Sequence, residues 1–476
     1  MVHQHKSGKA TILAAVAALG ILALDAKVEL GVPFTDGVVL QRNREVPVWG
    51  TAEPGSKVKV SFAGMEREAT AGGDGEWRVS LGAMDASCEG RTLVVESGDE
   101  RAEAKDVLVG EVWFCAGQSN AELPLCGGSP HFRDAKGFMR AQITHKPLVR
   151  FCHQSNYRKS PVPKKTAPKS VEWKPFTPEN LTTPPSFSAM GVYFALEVHN
   201  AIGVPVGIVG TYWGGTKIEP WTPNGELWNE MVAPWTPFAI RGLIWYQGCG
   251  NSRDGLAYAD KMHDLYNGWS REFRNPDLKL YFVQLAPCIR RSPEVTCDWS
   301  GALIATTEGQ AMFAATEKNA GMVVINDVGN IEDIHPNDKE TVGQRLALLA
   351  LKRDYGFDGI KADSPTLKSW TIDGDRFVLS FDNVESWYLY HPDWSTSSGF
   401  EVAGEDGNFV PAVIDNLLVK EQGVYKSKGV IEGKDLVVRA PGVAEPKKLR
   451  YLHSKPWFGC LYNESALPLG AFHIGE

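Results

Sequence analysis

The run Val107-Leu108-Val109-Gly110-Glu111-Val112-Trp113-Phe114 constrains this chain more than any other segment. It is too apolar for a strand with one wet face. A strand buried on both faces belongs in a parallel sheet covered by helices. The run continues into Cys115-Ala116-Gly117-Gln118-Ser119-Asn120. A buried strand thus ends at a small residue, the chain can turn sharply, and a hydroxyl stands at the carboxyl edge of the sheet. That edge is where open α/β sheets place their sites.

The rest of the chain falls around this run. Residues 1–26 read as an export signal: His3, His5, Lys6 and Lys9 precede an apolar stretch from Ala10 to Leu24, with Ala26 at the expected cleavage point. The stretch is short for a membrane span, so an exported protein, periplasmic or secreted, with no membrane attachment after cleavage is expected. Residues 27–107 read as an N-terminal β module. Short apolar strands such as Val58–Phe62 are punctuated by Gly and Pro, and Gly73–Trp77 is expected to close a hairpin. Residues 108–356 alternate strands and helices. Strands are expected at Leu148–Phe151, Val204–Val209, Ile240–Tyr246, Leu280–Leu285 and Ile325–Asp327. Helices are expected at Phe187–Ile202, Ala257–Phe273, Ala302–Lys318 and Lys339–Lys352. Residues 357–476 return to short strands, a C-terminal β module. The expected class is α/β, a helix-covered parallel sheet flanked by two sandwich-like β modules.

Composition narrows the function. The formal net charge is -8 and no basic stripe is present, which points away from nucleic acid. Eight cysteines (88, 115, 126, 152, 249, 288, 297 and 460) fit an exported protein with some disulfides. None has zinc spacing, so a structural metal is not suggested. No feature of the sequence reports an oligomeric state.

Four segments follow strands of the middle domain, and each has two readings. Ser119 is either a nucleophile at a strand end or a helix cap. Thr211–Trp221 holds Gly214-Gly215, which either aims backbone N–H groups into a cavity or simply turns; Trp213, Glu219 and Trp221 beside it suit a cleft wall. Trp245–Asn251 offers the amides of Gln247 and Asn251 at the same edge, as oxyanion donors or as a helix cap. Glu332-Asp333-Ile334-His335 sets acids beside a histidine, the arrangement of a general base with its orienting carboxylate, or a bland loop.

Together these segments resemble the sialate O-acetylesterase family of carbohydrate esterases, a branch of the SGNH hydrolases. The family's patterns WxxxGQSNMEWPL, SxWGGTxIExW, IKGxIWYQGESN and DIHPxxKxxVGxRLA stand here as Trp113–Leu125, Thr211–Trp221, Ile240–Asn251 and Asp333–Ala347. The resemblance implies an SGNH-type three-layer α/β/α domain and a carboxylic ester hydrolase acting on O-acetylated carbohydrate with no metal and no organic cofactor. It implies Ser119 as nucleophile, His335 as general base and acid, and Asp333 as its partner. It also implies an oxyanion hole from Ser119, Gly214 or Gly215, and Gln247 or Asn251. Gln118, Asn120, Trp213, Glu219 and Trp221 are expected around the substrate. Two positions depart from the pattern. Cys249 and Gly250 replace the family's Glu and Ser, and Cys249 is expected to pair with Cys115. Glu332 occupies the place of the general SGNH aspartate, leaving it as the alternative to Asp333. The competing readings are a carbohydrate-binding protein with a decayed esterase core, an acetylxylan-type esterase of the same fold, and a lipase- or peptidase-like hydrolase, which the polar, Trp-rich segments disfavour.

Overall fold

The apolar run around Trp113 is the second half of one 18-residue strand, Glu100–Gly117 (β1). In the computed structural model, residues 27–475 are described except 129–131, 155–156, 169, 184–186, 289–300, 331, 390–397, 417–428 and 454–460. The expected export signal, residues 1–26, lies outside the described residues. The first half of β1 is largely solvent-facing and pairs antiparallel with Ser87–Ser97. From Val107 to Gly117 every residue is buried, and the strand becomes the centre of a parallel sheet. The change of environment follows Asp106, whose φ is 54°. One continuous strand therefore belongs to both the N-terminal module and the helix-covered sheet.

That sheet also contains Lys146–His153 (β2), Trp173–Phe176 (β3), Val206–Tyr212 (β4), Gly242–Tyr246 (β5), Lys279–Val283 (β6) and Ala320–Val323 (β7). Their order is β3-β2-β4-β1-β5-β6-β7. All neighbours are parallel except β3, which runs antiparallel at the edge. Alternate side chains of β1 feed two separate cores. Trp113 and Cys115 pack with Ala189–Ile202 (α2) and Lys339–Asp354 (α5). Phe114 and Ala116 pack with Tyr258–Glu272 (α3) and with Phe313 of Ala302–Thr316 (α4). Trp113 meets Phe194 edge-on at 5.1 Å, and Phe114 meets Trp269 at 5.5 Å. Each buried aromatic of this kind contributes about 1.5–3 kcal/mol of transfer free energy.

Three expectations change. Gly73–Trp77 is a turn and not a hairpin. Gly72 N–H donates to Glu76 O, but Met65–Thr70 pairs with Lys57–Phe62 and Glu76–Leu81 pairs with Val46–Thr51. The turn hands the chain from one sheet to another. The strand expected at Ile325–Asp327 is irregular because β7 ends at Val323. Arg345 draws the following chain aside, bonding Val324 O and gripping both oxygens of Asp327 at 2.7 Å. The expected Cys115–Cys249 disulfide is absent, and both residues are free thiols; Cys297 and Cys460 lie outside the described residues. Cys115 faces α2, its Sγ 3.5 Å from Ser188 Oγ, whereas Cys249 sits in the turn beyond β5.

The C-terminal strands form three small sheets. Their buried residues, including Phe377, Trp387, Phe400 and Leu449, join the same core as Ile325 and Leu346. Among the described residues no helix is long and apolar enough to cross a membrane.

Candidate active site

Gly117 makes the turn that presents Ser119. Its φ is 138°, and a Cβ there would lie 2.2 Å from Tyr246 O, so only glycine fits. Gln118 N–H donates to that same carbonyl at 3.1 Å. The chain then enters the four-residue helix Ser119–Glu122 (α1). Ser119 Nα–H is accordingly one of the first-turn donors without an intrahelical partner. The side chain lies at the carboxyl edge of β1 and is 9% exposed.

His335 comes to it from the loop before α5. His335 Nε2 lies 2.9 Å from Ser119 Oγ, and His335 Nδ1 lies 3.0 Å from Asp333 Oδ1. The Asp333 oxygen also accepts His335 N–H at 3.0 Å, which fixes the carboxylate against the ring. A carboxylate at Nδ1 keeps the proton there and leaves Nε2 able to accept from the serine hydroxyl. Phe132 stands edge-on to the imidazole at 5.3 Å. Glu332 is exposed, and its backbone N–H bonds Asn330 Oδ1. Of the two acids weighed from the sequence, Asp333 is the one in contact with the ring.

Asn120 and Lys339 join the two halves of this constellation. Asn120 Nδ2 donates to Ile334 O at 2.8 Å, and Asn120 Oδ1 accepts from Lys339 Nζ at 2.8 Å. Lys339 Nζ also sits 5.0 Å over the ring of Tyr246. The lysine is fully buried. Burial lowers its pKa to about 7, against the pull of Asp134, Cys249, Asp338 and Asp333 in the opposite direction. Lys339 was not named as a site residue from the sequence, although it occupies the K of the DIHPxxKxxVGxRLA pattern. It opens α5 directly after the N-cap Asp338, a position where the helix dipole disfavours a cation.

Several residues expected at the substrate or the oxyanion are committed elsewhere. Gly214 N–H donates to Glu122 Oε2 at 2.8 Å, and Glu122 Oε1 accepts from Tyr157 OH at 2.7 Å. The backbone at Gly214 does abut Ser119, since a Cβ there would lie 3.3 Å from Ser119 Cβ. Gly215 is exposed with φ 72°. Gln247 Nε2 donates to Thr216 O and to Asn251 Oδ1, and its Oε1 accepts from Tyr258 OH. Asn251 Oδ1 also accepts from Ile218 N–H, while Nδ2 donates to Glu219 and Asp254. Both side chains are buried and brace the turns after β4 and β5, so neither amide is presented as an oxyanion donor. Gln118 Oε1 accepts from the N–H groups of Gly248 and Gly250, which makes it a brace too. Asn120 clamps the histidine loop, and Trp221 is wholly buried with Nε1 donating to Thr216 Oγ1. Glu219 pairs with Lys261. Only Trp213 of the expected set stands half-buried at the rim, edge-on to Tyr157 at 5.8 Å. Glu122 and Tyr157 were missed because their function here depends on a contact across 35 residues that no spacing rule encodes.

Cys249, where the family pattern has Glu, is a half-buried thiol pushed up to about 12 by burial. At neutral pH it is a small apolar group and not a nucleophile.

Comparisons with known proteins agree on a family. Residues 109–352 match the model of the family described as carbohydrate esterase, sialic acid-specific acetylesterase. The human sialate O-acetylesterase is 24% identical over 368 residues, covering 67% of this chain and 69% of the human protein. The rat sialate O-acetylesterase is 24% identical over 407 residues, covering 67% of this chain and 72% of the rat protein. The crystal structure of a carbohydrate acetylesterase from Xanthomonas citri is 31% identical with a TM-score of 0.82, covering 94% of this chain and 99% of that one.

Proposed function

This chain belongs to the sialic acid-specific acetylesterase family of carbohydrate esterases, a family of carboxylic ester hydrolases, and from that premise we propose that it is an exported serine esterase that removes O-acetyl groups from sialic acid or related acetylated glycans. The reading assigns the helix-covered sheet to the SGNH three-layer type, with residues 108–356 as the catalytic domain between two β modules. It rests above all on one observation, the Ser119 Oγ–His335 Nε2 contact of 2.9 Å backed by Asp333 at 3.0 Å.

The steps follow from those positions. Ser119 Oγ attacks the acetyl carbonyl carbon as its proton passes to His335 Nε2. Asp333, fixed on Nδ1, stabilises the imidazolium that forms. The negative charge on the carbonyl oxygen is met by the Ser119 backbone N–H at the first turn of α1. Gly214 N–H is held by Glu122 Oε2, so a second donor from that turn falls to Gly215 N–H. Collapse breaks the bond to the sugar oxygen, which takes the proton from His335 and leaves as an alcohol. Water then attacks the acetyl-enzyme, gives its proton to His335, and acetate departs with Ser119 regenerated. Trp213 and Tyr157 at the rim suit stacking against a sugar ring.

The competing reading, a binding protein with a spent core, has no support in the geometry of Ser119 and His335. Acetate release from O-acetylated sialic acid and from acetylated xylan tests both activity and substrate. Ser119→Ala is expected to abolish release with folding unchanged by circular dichroism; retained turnover would refute the serine mechanism.

A further inference from the structure

Two histidines and a glutamate far apart in sequence meet where the C-terminal strands lie against α4. Glu308 projects from α4, His453 follows the strand Lys448–Tyr451, and His473 lies in the strand Phe472–Ile474. His473 Nδ1 is 2.6 Å from Glu308 Oε1, and His453 Nε2 is 3.2 Å from the same oxygen. The two imidazole centroids are 5.7 Å apart. One ligand atom from each residue lies within 4.8 Å of the other two. His453 Nε2 is buried, approaches Oε1 without hydrogen-bonding geometry, and has no other partner among the described residues. A buried ring nitrogen left in that state is unfavourable unless something fills the space beside it.

We propose that Glu308, His453 and His473 bind one divalent transition-metal ion of the zinc class. Two imidazole nitrogens and a carboxylate are the donor set that suits Zn²⁺, whereas Mg²⁺ and Ca²⁺ select oxygen. Tetrahedral bonds of about 2.0–2.1 Å set neighbouring donor atoms about 3.3 Å apart. The His453–Glu308 separation of 3.2 Å already has that value, and the His473–Glu308 pair has only to open from 2.6 Å. The His473 side chain is 43% exposed, so solvent reaches the fourth position and water completes the shell.

The ion acts as a staple and not in the ester chemistry. It fastens the last strands to α4. The same helix carries Gln310, whose Nε2 donates to Gln247 O and Val283 O, and Thr306, whose hydroxyl accepts from Gly255 N–H. The helix that supports the turn after β5 is thereby anchored to the end of the chain. Donors at 308, 453 and 473 leave no spacing signature, which is why no metal is legible in the sequence.

The test is a Zn²⁺ titration of the chelator-treated full chain by calorimetry, repeated with Glu308→Gln, His453→Ala and His473→Ala. The wild type is expected to bind one equivalent at this site and to melt at a higher temperature with Zn²⁺ than without. Each variant removes a direct ligand, so it is expected to lose at least the about 10–100-fold in affinity that changes beside a metal's ligands typically cost, and to lose the thermal shift. Glu308→Gln keeps the shape of the cluster, so it decides the matter if a histidine variant fails to fold. Zn²⁺ binding and thermal shift identical in the wild type and Glu308→Gln would overturn the proposal, as would no Zn²⁺ uptake by the wild type.

Discussion

Lys339 offers a sharp test of how the site is built. It is fully buried, bonded to Asn120 Oδ1 and stacked over Tyr246. Burial brings its pKa from 10.5 down to about 7. The sign follows from proton counting. The unfolded chain keeps this amine protonated up to about 10.5, while the folded protein releases the proton near 7. Across that window the unfolded state binds more protons, so stability rises with pH. The penalty is fully present below pH 7, shrinks through the window, and is gone above 10.5. For those two values, raising the pH from 7 to 9 adds about 2 kcal/mol of stability through this one group. Lys339→Met keeps most of the stem and removes the titration. It also leaves Asn120 Oδ1 without its donor, an offset of about 1 kcal/mol that does not vary with pH. Urea unfolding of both proteins at pH 7, 8 and 9 isolates the effect, because every other titrating group cancels in the difference. The wild type is expected to gain about 2 kcal/mol on the variant over that range. A difference that stays constant from pH 7 to 9 would show that the amine is not desolvated in the folded state, and the argument would fail.

Two further perturbations probe the turn and the acid. Gly117→Ala is expected to cost at least about 2 kcal/mol, because its Cβ would meet Tyr246 O at 2.2 Å; Gly215→Ala, with nothing within 4 Å, is expected to cost less, and thermal midpoints compare the two. Asp333→Asn is expected to lower kcat/KM by up to about 10⁴-fold through loss of the correct imidazole tautomer, while Glu332→Gln stays within about twofold, since Glu332 is exposed. Equal losses in the two acid variants would refute the assignment of Asp333 to the ring.

The sheet was legible because burial on both faces leaves an unmistakable trace. Val107–Phe114, Ile240–Tyr246 and Leu280–Leu285 are apolar without alternation, and only a helix-covered parallel sheet uses such strands repeatedly. Helix positions followed from the same periodicity, and α4 and α5 begin at the expected residues. The Gly73–Trp77 turn misled because turn chemistry is local, whereas the choice of partner strand is not. Cys115 and Cys249 misled in the same way. Residues near matching strand ends look like neighbours in a topology diagram, but one points into the α2 core and the other lies past the edge.

The site itself divides along a physical line. The serine and histidine proposed to react meet at the carboxyl edge of the sheet, and that placement is visible as a glycine, a serine and a histidine in the right segments. Residues that hold them must be satisfied, and satisfaction is a property of three-dimensional contacts. Gln118, Gln247 and Asn251 all sit at the expected edge; Gln247 and Asn251 have spent both ends of their amides on backbone or neighbouring side chains, and Gln118 has spent its Oε1 on two backbone N–H groups. Leaving such buried amides unpaired costs about 1–3 kcal/mol apiece, so the fold claims them before a substrate can. An amide at a strand end therefore marks the architecture of this site more often than its chemistry. The same logic explains Asn120, next to Ser119 in sequence. Its carboxamide ties Ile334 O to Lys339 Nζ, so it holds the Ser119 helix and the His335 loop in register.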